Sequence, residues 1–131
     1  MSPTDDDRPD AQDAGATTPA GPPIDMTRLR TLIGEDDEFV RELCQAFVST
    51  TDEILPKLEK ALAIGDRADL AAAAHKLKGG SQSICAERIA VLAQALERGA
   101  PSRTLQELNV LITDLRQEIA RCVEYLRDAG R

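Results

Sequence analysis

An all-α fold, an antiparallel four-helix bundle with a short extra N-terminal helix, is predicted by three observations on this 131-residue chain. Aromatic residues are scarce, with no Trp, one Tyr and two Phe, so the core must be built from aliphatic side chains. Strands favour aromatic and β-branched residues, whereas helices take Leu and Ala at little entropic cost. Apolar residues recur at helical spacing, most cleanly at Leu105, Leu108, Ile112, Leu115, Ile119, Cys122 and Leu126, alternately three and four apart. Glycine and proline fall between the periodic runs, at Gly34, Gly65, Gly99 and Pro101, where helices are expected to stop. A chain of this size can bury a core without disulfides or metal.

Taken in order, residues 1–24 read as a disordered acidic Pro-rich tail. Pro3, Pro9, Pro19, Pro22 and Pro23 are spread through it, and Asp5, Asp6, Asp7, Asp10 and Asp13 stand against Arg8 alone. So little apolar surface cannot offset chain entropy. The tail is either an inert extension or a recruitment arm. The bundle domain covers residues 25–131. Its first helix runs from Asp25, an N-cap, through Leu29, Leu32 and Ile33 to Gly34. The second begins near Asp36 and carries Val40, Leu43, Phe47, Ile54, Leu58 and Leu62 on one side. Pro56 removes a backbone donor from it, so a kink or local break is expected there. Gly65 and Asp66 read as a stop followed by an N-cap, opening a third helix to about Ile84. A fourth spans about Ala86 to Arg98, and the last runs from Ser102 to about Asp128. Short connections make successive long helices antiparallel neighbours, with the first helix capping one end. A free-standing coiled coil would not carry this Gly and Pro punctuation.

Charge and cysteine usage narrow the function. The net charge is −7, with −4 of it in the tail. A mildly acidic body with few aromatics argues against nucleic acid, which calls for a basic stripe and stacking platforms. It argues equally against an anionic membrane surface. Cys44, Cys85 and Cys122 form no C-x-x-C pair and read as small apolar residues, reduced in a cytoplasmic protein. The N-terminus lacks the apolar stretch of a signal peptide, and no run approaches the roughly 18 residues of a membrane span.

Chemistry has one place to sit. The single histidine, His75, lies in Ala71-Ala72-Ala73-Ala74-His75-Lys76-Leu77-Lys78-Gly79-Gly80-Ser81-Gln82. At 100° per residue Leu70, Ala73, Leu77 and Ile84 share one side of the helix, and His75 lies nearly opposite, facing solvent. Ala71, Ala72 and Gly79 are one turn away from it, so the imidazole stands clear of bulky neighbours. Two glycines inside a helix cost about 1 kcal/mol each relative to Ala. They either mark a helix end or admit another protein's backbone close to the ring. Lys78, on the same flank, would attract a phosphoryl group and hold the imidazole neutral, an effect of about 1 kcal/mol or less at an exposed site. Lys76 points elsewhere. Gln82, two turns on, is a candidate hydrogen-bonding contact on the His75 face.

The run His75-Lys76-Leu77-Lys78-Gly79, followed by Ile84 and then by Leu92, Leu96 and Glu97, resembles the His-x-Leu-Lys-Gly signature of histidine-containing phosphotransfer (HPt) domains. Gly34-Glu35-Asp36-Asp37-Glu38-Phe39 and the Ala-rich run after Gly65-Asp66 are also similar to that family, and the resemblance covers roughly residues 25–128. It implies that His75 is the phosphoacceptor. It also implies that Glu97 accepts a hydrogen bond from the second ring nitrogen, fixing the tautomer. An ordinary solvated carboxylate is the alternative reading of Glu97, although the helix dipole disfavours an acid in a last turn by roughly 0.3–1 kcal/mol and so argues for a compensating partner. Two departures are evident. Cys85 stands where the family commonly has Gly, and a left-handed backbone there would be strained. Gly80 replaces a frequent Ser or Ala, and Ser81 is expected to cover for the missing phosphate-contacting hydroxyl.

By this resemblance the chain is a phosphorelay intermediate of two-component signal transduction. It is a phosphocarrier and not an enzyme, taking a phosphoryl group from a receiver-domain aspartate and passing it to another receiver. Expected partners are the receiver domains of response regulators and hybrid histidine kinases, meeting a monomer through its second and third helices, with Ala71, Ala72, Gly79 and Gln82 in contact. No metal or cofactor is expected on this chain, since Mg2+ belongs to the receiver. A regulator that binds a kinase or receiver through the same face without carrying phosphate is the alternative. A hydrolase or metal enzyme lacks a carboxylate cluster or nucleophile to work with. A purely structural bundle leaves the paired glycines beside an exposed histidine unexplained.

Overall fold

The computed structural model describes residues 22–129, with five helices and no strand among them. They are α1 (Met26–Ile33), α2 (Asp37–Ile64), α3 (Arg67–Ser83), α4 (Glu87–Gly99) and α5 (Leu105–Ala129). α2 packs on α3, α3 on α4, α4 on α5, and α5 returns to α2, closing a four-helix ring. Connections of two to five residues leave successive helices no route but reversal.

Local chemistry sets each boundary. Asp25, Asp36 and Asp66 cap α1, α2 and α3 by accepting backbone N–H bonds from Arg28, from Glu38 and Phe39, and from Asp69. α2 ends where Gly65 turns left-handed at φ +74°. α5 starts later than Ser102: the Thr104 and Glu107 backbone N–H groups each donate to the other residue's side chain at 3.0 Å, a reciprocal capping box.

Packing explains the remaining departures from the sequence reading. In α2 the buried line is Val40, Cys44, Phe47, Thr51, Ile54, Leu58 and Ala61, while Leu43 and Leu62 are half-buried beside it. Pro56 does not break the helix. It sits on the exposed face, where water can take the carbonyl it leaves unpaired. In α3 the line is Leu70, Ala74, Leu77 and Ser81, so Ala74 and not Ala73 is fully buried. Along α5 the seam is buried from Leu108 to Cys122, whereas Leu105 in the first turn is exposed. The core also starts earlier than Asp25. Pro23 and Ile24 are buried, and the Asp25 N–H donates to the Cys85 carbonyl at 3.2 Å. The rest of the predicted tail, residues 1–21, lies outside the described residues.

α1 is held at the α3–α4 junction by an Arg28–Glu87 ion pair and at the head of α2 by Arg30 on Asp37 at 2.7 Å. At the opposite end, the Arg67 guanidinium donates to the carbonyls of Ala100 and Arg103, fastening the α4–α5 loop to the start of α3.

Candidate functional site

The buried line of α3 leaves His75 on the outer surface, turned toward α4. Its side chain is 67% exposed. The Nδ1 nitrogen lies 3.0 Å from Glu97 Oε2, and Lys78 Nζ lies 2.9 Å from the other carboxylate oxygen, Oε1. Glu97 thus bridges the two α3 side chains from the last turn of α4. The hydrogen bond from Lys78, seconded by that from His75, holds the Glu97 carboxyl below its ordinary range against the opposing effect of burial.

This arrangement decides the tautomer. An ionised carboxylate only accepts hydrogen bonds, so Nδ1 must be the donor. The lone pair of the neutral ring is then on Nε2, which the exposed side chain turns outward. A nucleophilic nitrogen, oriented by a carboxylate and unobstructed by its own chain, is what the geometry offers chemically.

The surroundings are open. Ala72, Gly79 and Gln82 are exposed and Ala71 is half-buried. A Cβ added at Gly79 would meet nothing within 4 Å, and one at Gly80 would meet only Phe47 Cδ1 at 3.9 Å. Both glycines lie inside α3, so they do not mark its end. Internal packing does not require them.

The structure brings His75, Lys78 and Glu97 together, with Gly79 and Ala72 beside the ring. Gln82 stands apart, lining a groove with Ala90, Val91 and Gln94 of α4. The surface next to the ring is therefore the α3–α4 flank, where the sequence pointed to the second and third helices. The stripe Ala90, Gln94 and Glu97, spaced four and three apart, was the available signal for this side of the site. Ser81 cannot replace a phosphate-contacting hydroxyl. It is fully buried on the face away from His75 and donates to the Leu77 carbonyl at 2.7 Å.

Cys85 does adopt the left-handed conformation, at φ +59°. Its N–H donates to Gln82 O, and the Ala86 N–H donates to Ser81 O, the paired bonds of a Schellman ending. The helix boundary thus keeps the geometry that favours Gly, with Cys bearing the strain. Among the described residues no group of three or more His, Cys, Asp or Glu is placed to hold a metal ion, and no helix is long and apolar enough to cross a membrane.

Comparison with known proteins shows the family to which this bundle belongs. The family described as Hpt domain matches residues 42–129, which include α3, α4 and the His75–Glu97 pair. Among solved structures, histidine-containing phosphotransfer protein B from Pseudomonas aeruginosa PAO1 is similar at 29% identity with a TM-score of 0.75. The similarity covers 86% of this chain and 98% of that one. No match is found among curated proteins. With two thirds of its length matched by the family and an exposed histidine held by a carboxylate across two bundle helices, the chain belongs to the Hpt domain family and serves as a phosphotransfer intermediate in phosphorelay signalling.

Proposed function

We propose that His75 is the phosphoacceptor and that Glu97 and Lys78 prepare it. The observation that carries this reading is the Nδ1–Glu97 contact at 3.0 Å beneath a ring that is two-thirds exposed. The Nε2 lone pair attacks the phosphorus of a receiver's aspartyl phosphate. The N–P bond forms as the aspartyl P–O bond breaks, and the aspartate leaves as a carboxylate. The ring then carries a positive charge shared with the Nδ1–H, which the Glu97 carboxylate stabilises. The return step to another receiver reverses these bond changes.

Phosphoryl transfer asks for positioning and charge stabilisation more than for covalent work by the protein. Magnesium and the acidic cluster that holds it belong to the receiver. Lys78, parked on Glu97 at 2.9 Å, is one turn from the ring and can turn to the phosphoryl oxygens once they arrive. Gly79 and Ala72 keep the approach to Nε2 clear. The partners are receiver domains of response regulators and hybrid kinases, met by a cytoplasmic monomer. Incubation with a phosphorylated receiver and Mg2+ is expected to label this chain with an acid-labile, alkali-stable phosphate, and His75→Gln is expected to abolish the label. A label that survives His75→Gln would overturn the assignment. A His75→Gln chain that keeps full biological activity would select the non-phosphorylated regulator instead.

A further inference from the structure

On the flank opposite His75, between α2 and α5 and reaching α1, lies a groove of about 900 Å3. Its apolar lining includes Val40, Val123 and Leu126, and three arginines, Arg30, Arg41 and Arg127, stand around it against a single acid, Asp37. Arg30 is engaged by Asp37, but Arg41 and Arg127 have no ion pair among the described residues. This is a concentration of positive charge on a chain whose net charge is −7.

The sequence holds the complementary charge. Residues 4–13 carry Asp5, Asp6, Asp7, Asp10 and Asp13 against Arg8, and they lie upstream of Ile24, which is anchored in the core two residues before the groove-lining Met26. Eleven residues separate Asp13 from Ile24 in sequence, and an extended chain of that length reaches up to roughly 35 Å. That is comparable to the whole of α2, roughly 40 Å long for its 28 residues. We propose that the acidic segment at residues 4–13 docks in cis on the Arg30, Arg41 and Arg127 groove. Aspartates meet the arginines, and the intervening Pro and Ala side chains lie over the valines and Leu126. The anchored end of the segment makes the encounter intramolecular, so even weak ion pairs are populated through a high effective concentration. The groove and His75 occupy opposite flanks of the ring, so this docking leaves the phosphotransfer face open and stands independently of the His75 assignment.

The test compares backbone amide NMR spectra of the full chain with those of a full-length variant in which Asp5, Asp6, Asp7, Asp10 and Asp13 are all Asn. At low salt the amide signals of Val40, Arg41, Val123 and Arg127 are expected to differ between the two, while those of Gly79 and Gln94 coincide. The differences should vanish in about 1 M NaCl, where charges are screened over roughly 3 Å. They should also vanish when the same comparison is made on an Arg41→Glu, Arg127→Glu background. Coincident groove signals at low salt would overturn the proposal. So would differences that grow with protein concentration, which would assign the groove to the acidic segment of a second copy.

Discussion

Glu97 sits in the last turn of α4, where the helix dipole disfavours a carboxylate by roughly 0.3–1 kcal/mol. Its two partners, His75 and Lys78, explain why the position tolerates an acid. Glu97→Gln removes the charge and leaves the shape. We expect slower transfer to His75 in a stopped reaction with phosphorylated receiver, by about tenfold if one charge-assisted bond worth about 1.4 kcal/mol acts in the transition state, with an unchanged circular dichroism spectrum. An unchanged rate would remove the role. The lowered Glu97 pKa also has a sign in stability. Because the folded value lies below the unfolded one, the carboxylate's contribution is fully present above the ordinary carboxyl pKa of about 4.3 and is lost as pH falls through the folded value. Urea titrations of wild type and Glu97→Gln should therefore converge on acidification below that range. Gly79 makes the complementary case. With nothing within 4 Å of a Cβ there, Gly79→Ala should raise unfolding free energy by about 1 kcal/mol while slowing transfer, since the added methyl meets only the partner. A gain in stability at unchanged transfer rate would show that the partner's surface stays clear of this position.

Individual helices show where local chemistry and packing disagree. α2 runs through Pro56 because the seven buried positions from Val40 to Ala61 hold both halves against α3 and α5. Proline in a helix interior costs about 3 kcal/mol, partly returned through its stiffening of the unfolded chain. Pro56→Ala is expected to stabilise the protein by roughly 1–3 kcal/mol on that basis, measured as a higher urea midpoint at unchanged slope. The α5 cap gives the opposite sign. Thr104→Ala breaks the capping box and should lower stability by about 1 kcal/mol.

For the molecule as a whole, the three thiols report on the core. Cys44, Cys85 and Cys122 are all buried, and burial pushes each thiol up, Cys122 to about 12 with the Glu118 carboxylate adding to the effect. All three stay protonated and shielded at neutral pH, so alkylation by iodoacetamide should be slow in the native protein and complete at three sites in denaturant. Rapid native labelling of any of them would mean that the surrounding helices part readily. Among the described residues, one buried charge interrupts the aliphatic interior. Glu118, 5% exposed on α5, pairs with Arg121 at 3.0 Å and reaches toward Arg88 of α4 at 3.8 Å. Truncating such a buried partner leaves a charge uncompensated, and neither the spacing nor the composition of α5 sets Glu118 apart from its neighbouring acids.

Fold class, the five helices and the family could all be read in one dimension. They rest on local rules: aliphatic periodicity for the helices, Asp and Gly for their ends, and a lone histidine opposite an apolar stripe. Even the Thr104–Glu107 capping box was present in the letters, although Ser102 looked the earlier start. Contacts between helices were another matter. A resemblance suggested Glu97, but its approach to His75 across 22 positions follows from how α4 lies on α3. That approach also turns the site toward α4 and away from α2. The same holds for Ser81, drawn into the core by a shift of one residue in the buried line, and for Pro23 and Ile24, claimed by a core that α1 closes. Helical periodicity specifies which face is apolar, but the neighbour that covers it is chosen by the packing of the whole ring.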